Sequence, residues 1–104
     1  MNETFIMAVD QGTSATKTVV FDTHGRIVAQ ATQPLKSYFP QPGFVEQESP
    51  DIYQNVLASV KKCLDQYREA VSHDLTKIET CGISNQRETF LLWDHSSQPL
   101  SNAV

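Results

Sequence analysis

One amphipathic segment, running from Ser49 to Val71, divides this chain into two groups of strand-like segments. Its apolar residues recur at helical spacing on one stripe: Ile52, Val56, Leu57, Val60, Cys63, Leu64, Tyr67 and Val71. Ser49 can cap a helix, Pro50 suits its first position, and Asp51 favours the positive end of the helix dipole. An amphipathic helix needs a surface to cover, so we expect the flanking strands to form a sheet beneath it.

Three strand-like segments precede the helix and two follow it. They are residues 4–10, 17–22 and Ile27–Thr32, and then Ile78–Ser84 and Thr89–Trp93. Turn residues around Gly12 and Gly25 predict that the first three segments form an antiparallel meander, while prolines make residues 33–48 a loop. The first segment is apolar nearly throughout, which predicts burial on both faces. The order β-β-β-α-β-β predicts a mixed sheet with a helix on one face.

Composition narrows the class of protein. The chain has 104 residues, of which 39% are hydrophobic and 19% charged, as in a globular domain with a modest core. Its net charge of -4 argues against nucleic acid or an anionic membrane as the main partner. No apolar run approaches the roughly 20 residues of a membrane span, and the acidic N-terminus is unlike a signal peptide, so we expect a cytoplasmic location. Cys63 and Cys81 each lie in an apolar pattern, and we expect two buried thiols.

The first strand-like segment ends in a carboxylate that is followed at once by a glycine and two hydroxyl residues. This stretch is Asp10-Gln11-Gly12-Thr13-Ser14. The carboxylate can hold a divalent cation directly or through water, and the N–H and hydroxyl groups of the turn can cradle phosphate oxygens. Lys17 can neutralise phosphate charge, although an exposed strand residue explains it equally. The pattern indicates nucleotide handling, but a plain hairpin with favourable turn residues remains an alternative.

Two further stretches are unusual. Ser84–Thr89 places six polar residues between two apolar strands. Within it, Arg87 and Glu88 offer donors and an acceptor that suit a small polyhydroxylated ligand, although a simple loop explains them too. Gly43–Gln47 combines an aromatic and a glutamate in a loose loop, where packing of Phe44 beneath the loop is the simpler interpretation.

Together these stretches resemble the N-terminal part of the FGGY carbohydrate kinases, and within that family the glycerol kinases most. The matching residues are Asp10-Gln11-Gly12-Thr13-Ser14, Phe21-Asp22, Pro42-Gly43-Phe44-Val45-Glu46-Gln47 and Gly82-Ile83-Ser84-Asn85-Gln86-Arg87-Glu88-Thr89. The tail Asn102-Ala103-Val104 is similar to an Asn-Ala-aliphatic run of the family. The resemblance covers essentially the whole chain.

The resemblance implies an α/β fold with an actin-like, ribonuclease-H-like mixed sheet. Residues 1–104 would form the incomplete N-terminal domain of a two-domain kinase that uses ATP and Mg²⁺. By the same resemblance Asp10 would act in the magnesium shell, while the turn and its neighbour would contact the terminal phosphates: Gly12, Thr13, Ser14 and Lys17. Glycerol kinases usually have arginine at the position of Lys17, so the lysine supplies charge without a two-pronged contact.

The resemblance also implies a substrate. Arg87 and Glu88 match the pair that hydrogen-bonds the hydroxyls of the polyol, and this pair favours glycerol, phosphorylated to glycerol 3-phosphate, over xylulose. Ala15, where serine is usual, and Phe44, where tryptophan is common, depart from the pattern and leave kinases of xylulose, gluconate, ribulose or another sugar alcohol as alternatives. A small molecule is therefore the expected partner, with neither nucleic acid nor membrane.

Other classes of protein share this fold, and the fold alone does not determine which of their functions a chain has. They include chaperone and filament ATPases, ribonuclease-H-like nucleases, and a truncated relative that serves as a nucleotide-binding or interaction module. The catalytic base and the adenosine-binding segments of the family lie beyond residue 104. We therefore expect the 104-residue piece to be inactive alone, and we expect an unpaired sheet edge to favour homo-oligomers.

Overall fold

The fold is described from a computed structural model. It describes residues 3–37, 42, 47, 49–85, 96, 98, 99 and 103. The elements are β1 (Phe5–Gln11), β2 (Ala15–Asp22), β3 (Ile27–Pro34), α1 (Ser49–Ala70), a short 3-10 helix (Leu75–Lys77) and β4 (Ile78–Ser84). The predicted strand Thr89–Trp93 lies outside the described residues.

The four described strands form one mixed sheet in the order β3-β2-β1-β4. β2 pairs antiparallel with both β1 and β3, and β4 pairs parallel with β1. The predicted meander is therefore confirmed. β2 begins two residues earlier than predicted and β3 ends two residues later, at Pro34, because ladder pairing runs on to the turn.

The β2–β3 hairpin turns at Gly25, whose φ of 79° is one that glycine adopts without strain. One carboxylate oxygen of Asp22 accepts hydrogen bonds from the backbone N–H groups of His24 and Arg26, both at 2.9 Å. These bonds lower the pKa of Asp22 below its ordinary value of 3.8, with the N–H of Arg26 the largest cause. The carboxylate therefore closes the hairpin.

The core lies between α1 and one face of the sheet. Its buried residues come from three strands and the helix: Phe5, Met7, Val9, Val20, Ala29, Cys63 and Tyr67. The rings of Phe5 and Tyr67 meet edge to face, with centroids 5.4 Å apart and planes at 78°. Aromatic pairs prefer this geometry, which adds to the burial of the two rings.

The prediction that β1 is buried on both faces is wrong for the described chain. Burial alternates along β1: Phe5, Met7 and Val9 face α1 and are buried, whereas Ile6, between them, is 44% exposed. The physical reason is that α1 covers one face of the sheet only.

The buried stripe of α1 differs from the predicted one at three positions. Asn55 and Ser59 are buried, at 7% and 0% exposure, although both are polar. Leu57, which the helical spacing predicts on the stripe, is 44% exposed. At 100° per residue, Leu57 lies about 140° from the centre of the stripe formed by Asn55, Ser59, Cys63 and Tyr67, and it faces away from the sheet.

The two thiols are not alike. Cys63 is fully buried in the core, and desolvation raises the pKa of its thiol. Cys81 is exposed, so the prediction of two buried cysteines is wrong for this residue. Cys81 lies on β4, beside the part of the sheet that α1 covers, and nothing in the described chain packs over it.

None of the helices in the described part of the chain is long and apolar enough to cross a membrane.

Candidate functional site

The turn between β1 and β2 is short and exposed at its tip. It consists of Gly12, Thr13 and Ser14, and the N–H of Gly12 donates to the carbonyl of Ala15 at 3.0 Å. A Cβ added to Gly12 would lie 3.1 Å from that same carbonyl oxygen, closer than nine in ten real Cβ contacts, so the tight closure favours glycine. Thr13 and Ser14 expose their hydroxyl-bearing side chains at the tip.

Asp10, Lys17 and Ser84 form a row across three strands. Asp10 on β1 is in register with Lys17 on β2 and with Ser84 on β4, so the three side chains project from the same face of the sheet. This face is opposite to α1, and all three residues are exposed. The hydroxyl of Ser84 donates to a carboxylate oxygen of Asp10 at 3.0 Å.

This row suits a divalent cation that is bound partly by the protein and partly by a nucleotide. The described residues contain no group of three or more histidine, cysteine or acidic side chains that could hold a metal by themselves. Mg²⁺, however, is commonly bound through one or two carboxylates together with substrate phosphates and water. Asp10 is exposed and keeps acceptor capacity beyond its bond to Ser84, so it suits a cation that arrives with a nucleotide.

Residues from elsewhere in the chain hold the turn from behind. The side-chain amide of Gln47 donates to the carbonyl of Thr13 at 2.6 Å, and the backbone N–H of Leu35 donates to the carbonyl of Ser14 at 2.8 Å. Gln47 and Leu35 are buried. The exposed tip therefore rests on a buried support.

A polar layer continues this support between β2 and α1. The hydroxyl of Thr16 donates to the side-chain oxygen of Asn55, whose amide in turn donates to the carbonyl of Pro34 at 2.7 Å. One turn further along α1, the hydroxyls of Thr18 and Ser59 share a hydrogen bond of 2.6 Å. Because buried polar groups are costly unless paired, these bonds fix how α1 sits beside the turn.

The structure thus brings together five of the predicted site residues at one end of the sheet: Asp10, Gly12, Thr13, Ser14 and Lys17. Arg87 and Glu88, predicted to bind the polyol, lie outside the described residues, as does Phe44.

The sequence of residues 5–104 matches the N-terminal domain of the FGGY family of carbohydrate kinases. The chain belongs to this family. The match spans every described element, from the first residue of β1 onward.

Curated relatives within the family are named glycerol kinases. The chain is 39% identical over 103 residues to the enzyme of Haloferax volcanii and 41% identical over 102 residues to that of Methylibium petroleiphilum. These alignments cover 98% and 97% of this chain but 19% and 20% of the relatives. The chain spans about a fifth of the length of the curated relatives it matches.

Solved FGGY kinases share the fold. The glycerol kinase of Plasmodium falciparum, solved with ADP, superposes with a TM-score of 0.85 at 28% identity, over 98% of this chain and 20% of that one. The gluconate kinase of Lactobacillus acidophilus gives a TM-score of 0.79 at 20% identity, over 98% of this chain and 19% of that one, which is a likeness of fold alone.

Sequence reasoning missed the residues that support the turn. Gln47 belongs to a motif and Ser84 to a polar stretch of the sequence, but neither pattern predicts a place in the site. Asn55 and Ser59 carry a readable signal, because they stand eight and four residues before Cys63 on the same helical face. A polar residue that continues a buried stripe indicates a buried hydrogen bond.

Proposed function

We propose that this chain is the N-terminal portion of an ATP-dependent polyol kinase that transfers a phosphoryl group to glycerol. The observation that carries the proposal is the row of Asp10, Lys17 and Ser84 beside an exposed turn with two hydroxyls. A carboxylate, a cation and a turn rich in N–H and O–H donors are the groups that a metal-bound nucleotide needs.

In the proposed reaction each group acts by position and charge. Asp10 would take a place in the magnesium shell, and the bound Mg²⁺ would neutralise charge on the transferring phosphate. Thr13 and Ser14 would donate to the terminal phosphate oxygens, and the tight closure at Gly12 would let the backbone approach them. Lys17 would add a point charge from the neighbouring strand.

The choice of glycerol rests on the relatives and on Arg87 with Glu88. The curated relatives at about 40% identity are named glycerol kinases. Arg87 and Glu88 would hydrogen-bond the hydroxyls of the polyol. The cytoplasmic location, the homo-oligomer and the inactivity of the 104-residue piece alone stay predictions that accompany this proposal.

The test uses the natural protein at its full length. The intact mass of the natural protein is measured first. A mass several times 11.6 kDa would mean that further chain is present to form the second wall of the cleft, which phosphoryl transfer needs. ATP-dependent phosphorylation of glycerol, xylulose and gluconate is then compared. We expect glycerol to give the highest kcat/KM, and we expect Asp10→Asn to lower kcat on the order of 100-fold.

The matched control is Asp65→Asn, which removes the same charge from an exposed position on α1 and should leave kcat unchanged. Preference for xylulose or gluconate would move the proposal to another branch of the family. A natural protein of only 11.6 kDa would instead favour the nucleotide-binding interaction module.

A further inference from the structure

Three consecutive peptide groups of the β1–β2 turn are each held through their carbonyl oxygens. In chain order, the carbonyl of Gly12 accepts from the side-chain amide of Gln11 at 2.9 Å, that of Thr13 from Gln47 at 2.6 Å, and that of Ser14 from the N–H of Leu35 at 2.8 Å. All three donor residues are buried. Hydrogen bonds from groups in the protein interior therefore hold the turn on one side.

The hydrogen bonds to these carbonyls also set the direction of the N–H groups in the same peptide planes. In a planar trans peptide the C=O and the following N–H point in opposite directions. Fixing the carbonyl of Thr13 therefore turns the N–H of Ser14 away from the buried donor. The carbonyls of Gly12 and Ser14 act in the same way on the N–H groups of Thr13 and Ala15.

Gln47 differs from the other two donors because it is fixed at both ends and comes from far along the chain. Its backbone forms a two-way antiparallel bridge with Ala103, with N···O distances of 2.9 and 2.6 Å. Its side-chain amide reaches Thr13, 34 residues away, and also donates to the hydroxyl of Ser37 at 3.1 Å. With only 4% of its surface exposed, Gln47 links the turn to two distant segments.

We propose that Gln47 is a positioning residue that orients the N–H of Ser14 toward a nucleotide phosphate. This inference rests on the proposed function, since it gives a task to the same turn. Gln47 itself touches the backbone of the turn from the buried side. Its effect on the nucleotide passes through one peptide plane, between Thr13 and Ser14.

The informative variant is Gln47→Glu, which keeps the size of the side chain but loses the N–H donor and places a carboxylate against the carbonyl of Thr13. The matched control is Gln66→Glu. The side-chain oxygen of Gln66 accepts from the N–H of Gln30, so a carboxylate there keeps the hydrogen bond.

Both variants are made in the natural full-length protein and compared by two readouts. The first is amide hydrogen exchange, by mass spectrometry, of the peptide that contains residues 12–16. The second is the pair of KM values for MgATP and glycerol. We expect Gln47→Glu to raise both the amide exchange rate of this peptide and KM for MgATP about tenfold, because a tenfold change corresponds to the loss of one well-made hydrogen bond. KM for glycerol should stay unchanged.

A merely structural role would lower the active fraction and leave KM for MgATP as it is, which would overturn the inference. Unchanged exchange in the turn peptide would overturn it as well, while the proposed function would stand if the wild type still phosphorylates glycerol. If the wild type uses no nucleotide at all, the proposed function fails, and the inference fails with it. Equal effects in the Gln66→Glu control would also overturn the role of Gln47.

Discussion

Two neighbours in one row of the sheet differ sharply in burial. Val9 on β1 and Ile83 on β4 are register partners on the face that carries α1, yet Val9 is 3% exposed and Ile83 is 71% exposed. Met7 and Cys81 repeat the contrast two register positions earlier on the same face, buried on β1 and exposed on β4. Both strands carry apolar residues, so the cover above them, and not their own sequence, decides what is buried.

The comparison separates hydrogen bonding from burial. β4 pairs with β1 from Ile78 to Ser84, interrupted only at Glu79 by a register shift, but has no buried residue. β2 buries three residues on the face beneath α1, Thr16, Thr18 and Val20, and a fourth, Val19, on the opposite face. Because the net gain from ladder hydrogen bonds is modest and apolar burial is the larger contribution, we expect the free energy of unfolding of this chain to arise mainly from β1 to β3 and α1.

The test with the largest expected effect truncates one side chain in each of the two regions of the 104-residue chain, the core beneath α1 and the exposed strand β4. Tyr67→Ala removes a fully buried ring that meets Phe5, so we expect a loss of about 3–5 kcal/mol of unfolding free energy. For a small domain this is a large share of the total stability. Ile83→Ala, at an exposed site, should cost less than about 0.5 kcal/mol. Urea unfolding followed by circular dichroism measures both, and equal losses would refute the comparison.

A second test uses the two native thiols. Cys81 is exposed, whereas Cys63 is buried and its pKa is raised by desolvation, so a thiol reagent should modify Cys81 first. We expect Cys63 to react on the order of 100-fold more slowly, since its modification requires opening of the core. Mass spectrometry of the modified chain over time distinguishes the sites. Fast modification of Cys63 would show that α1 does not hold the core closed.

The smallest test compares a partly buried carboxylate, Asp22, with an exposed one, Asp74. Asp22 lies at the β2–β3 hairpin, in the part of the sheet that α1 covers, and hydrogen bonds from Arg26 lower its pKa. Asp74 precedes β4, and hydrogen bonds from Thr76 lower its pKa. A lowered pKa adds stability at pH values above 3.8, and this stability is lost as the pH falls through the lower folded-state value. We expect Asp22→Asn to lower the unfolding midpoint in urea at pH 7 more than Asp74→Asn does.

Repeating the urea titration near pH 2 supplies the control, because both carboxyl groups then approach the neutral form and the differences from wild type should shrink. A difference that persists unchanged at low pH would mean that the charge of these groups is not what stabilises the turns.

The sequence predicted the elements better than their surroundings. Helical spacing and the Ser49-Pro50-Asp51 start placed α1 correctly, because these signals are local. The two-sided burial of β1 and the burial of Cys81 were wrong, because both depend on what covers the sheet. The position of Asp10 and its turn was readable from residue types in succession. The support by Gln47 was not, since its contact with Thr13 spans 34 residues and leaves no periodic trace.

The hydrogen bond between Ser84 and Asp10 has a consequence for synthesis on the ribosome. The turn after β1 needs only the next dozen residues to close, and a hairpin of this kind forms in about 1–10 μs. The partner of the Asp10 carboxylate, however, lies 74 residues downstream. At about 5–20 residues per second, Ser84 is added roughly 4–15 s after Asp10. The nascent chain therefore carries the β1–β2 turn, first without its support by Gln47 and then without Ser84 beside Asp10, for seconds before the row across the sheet is complete.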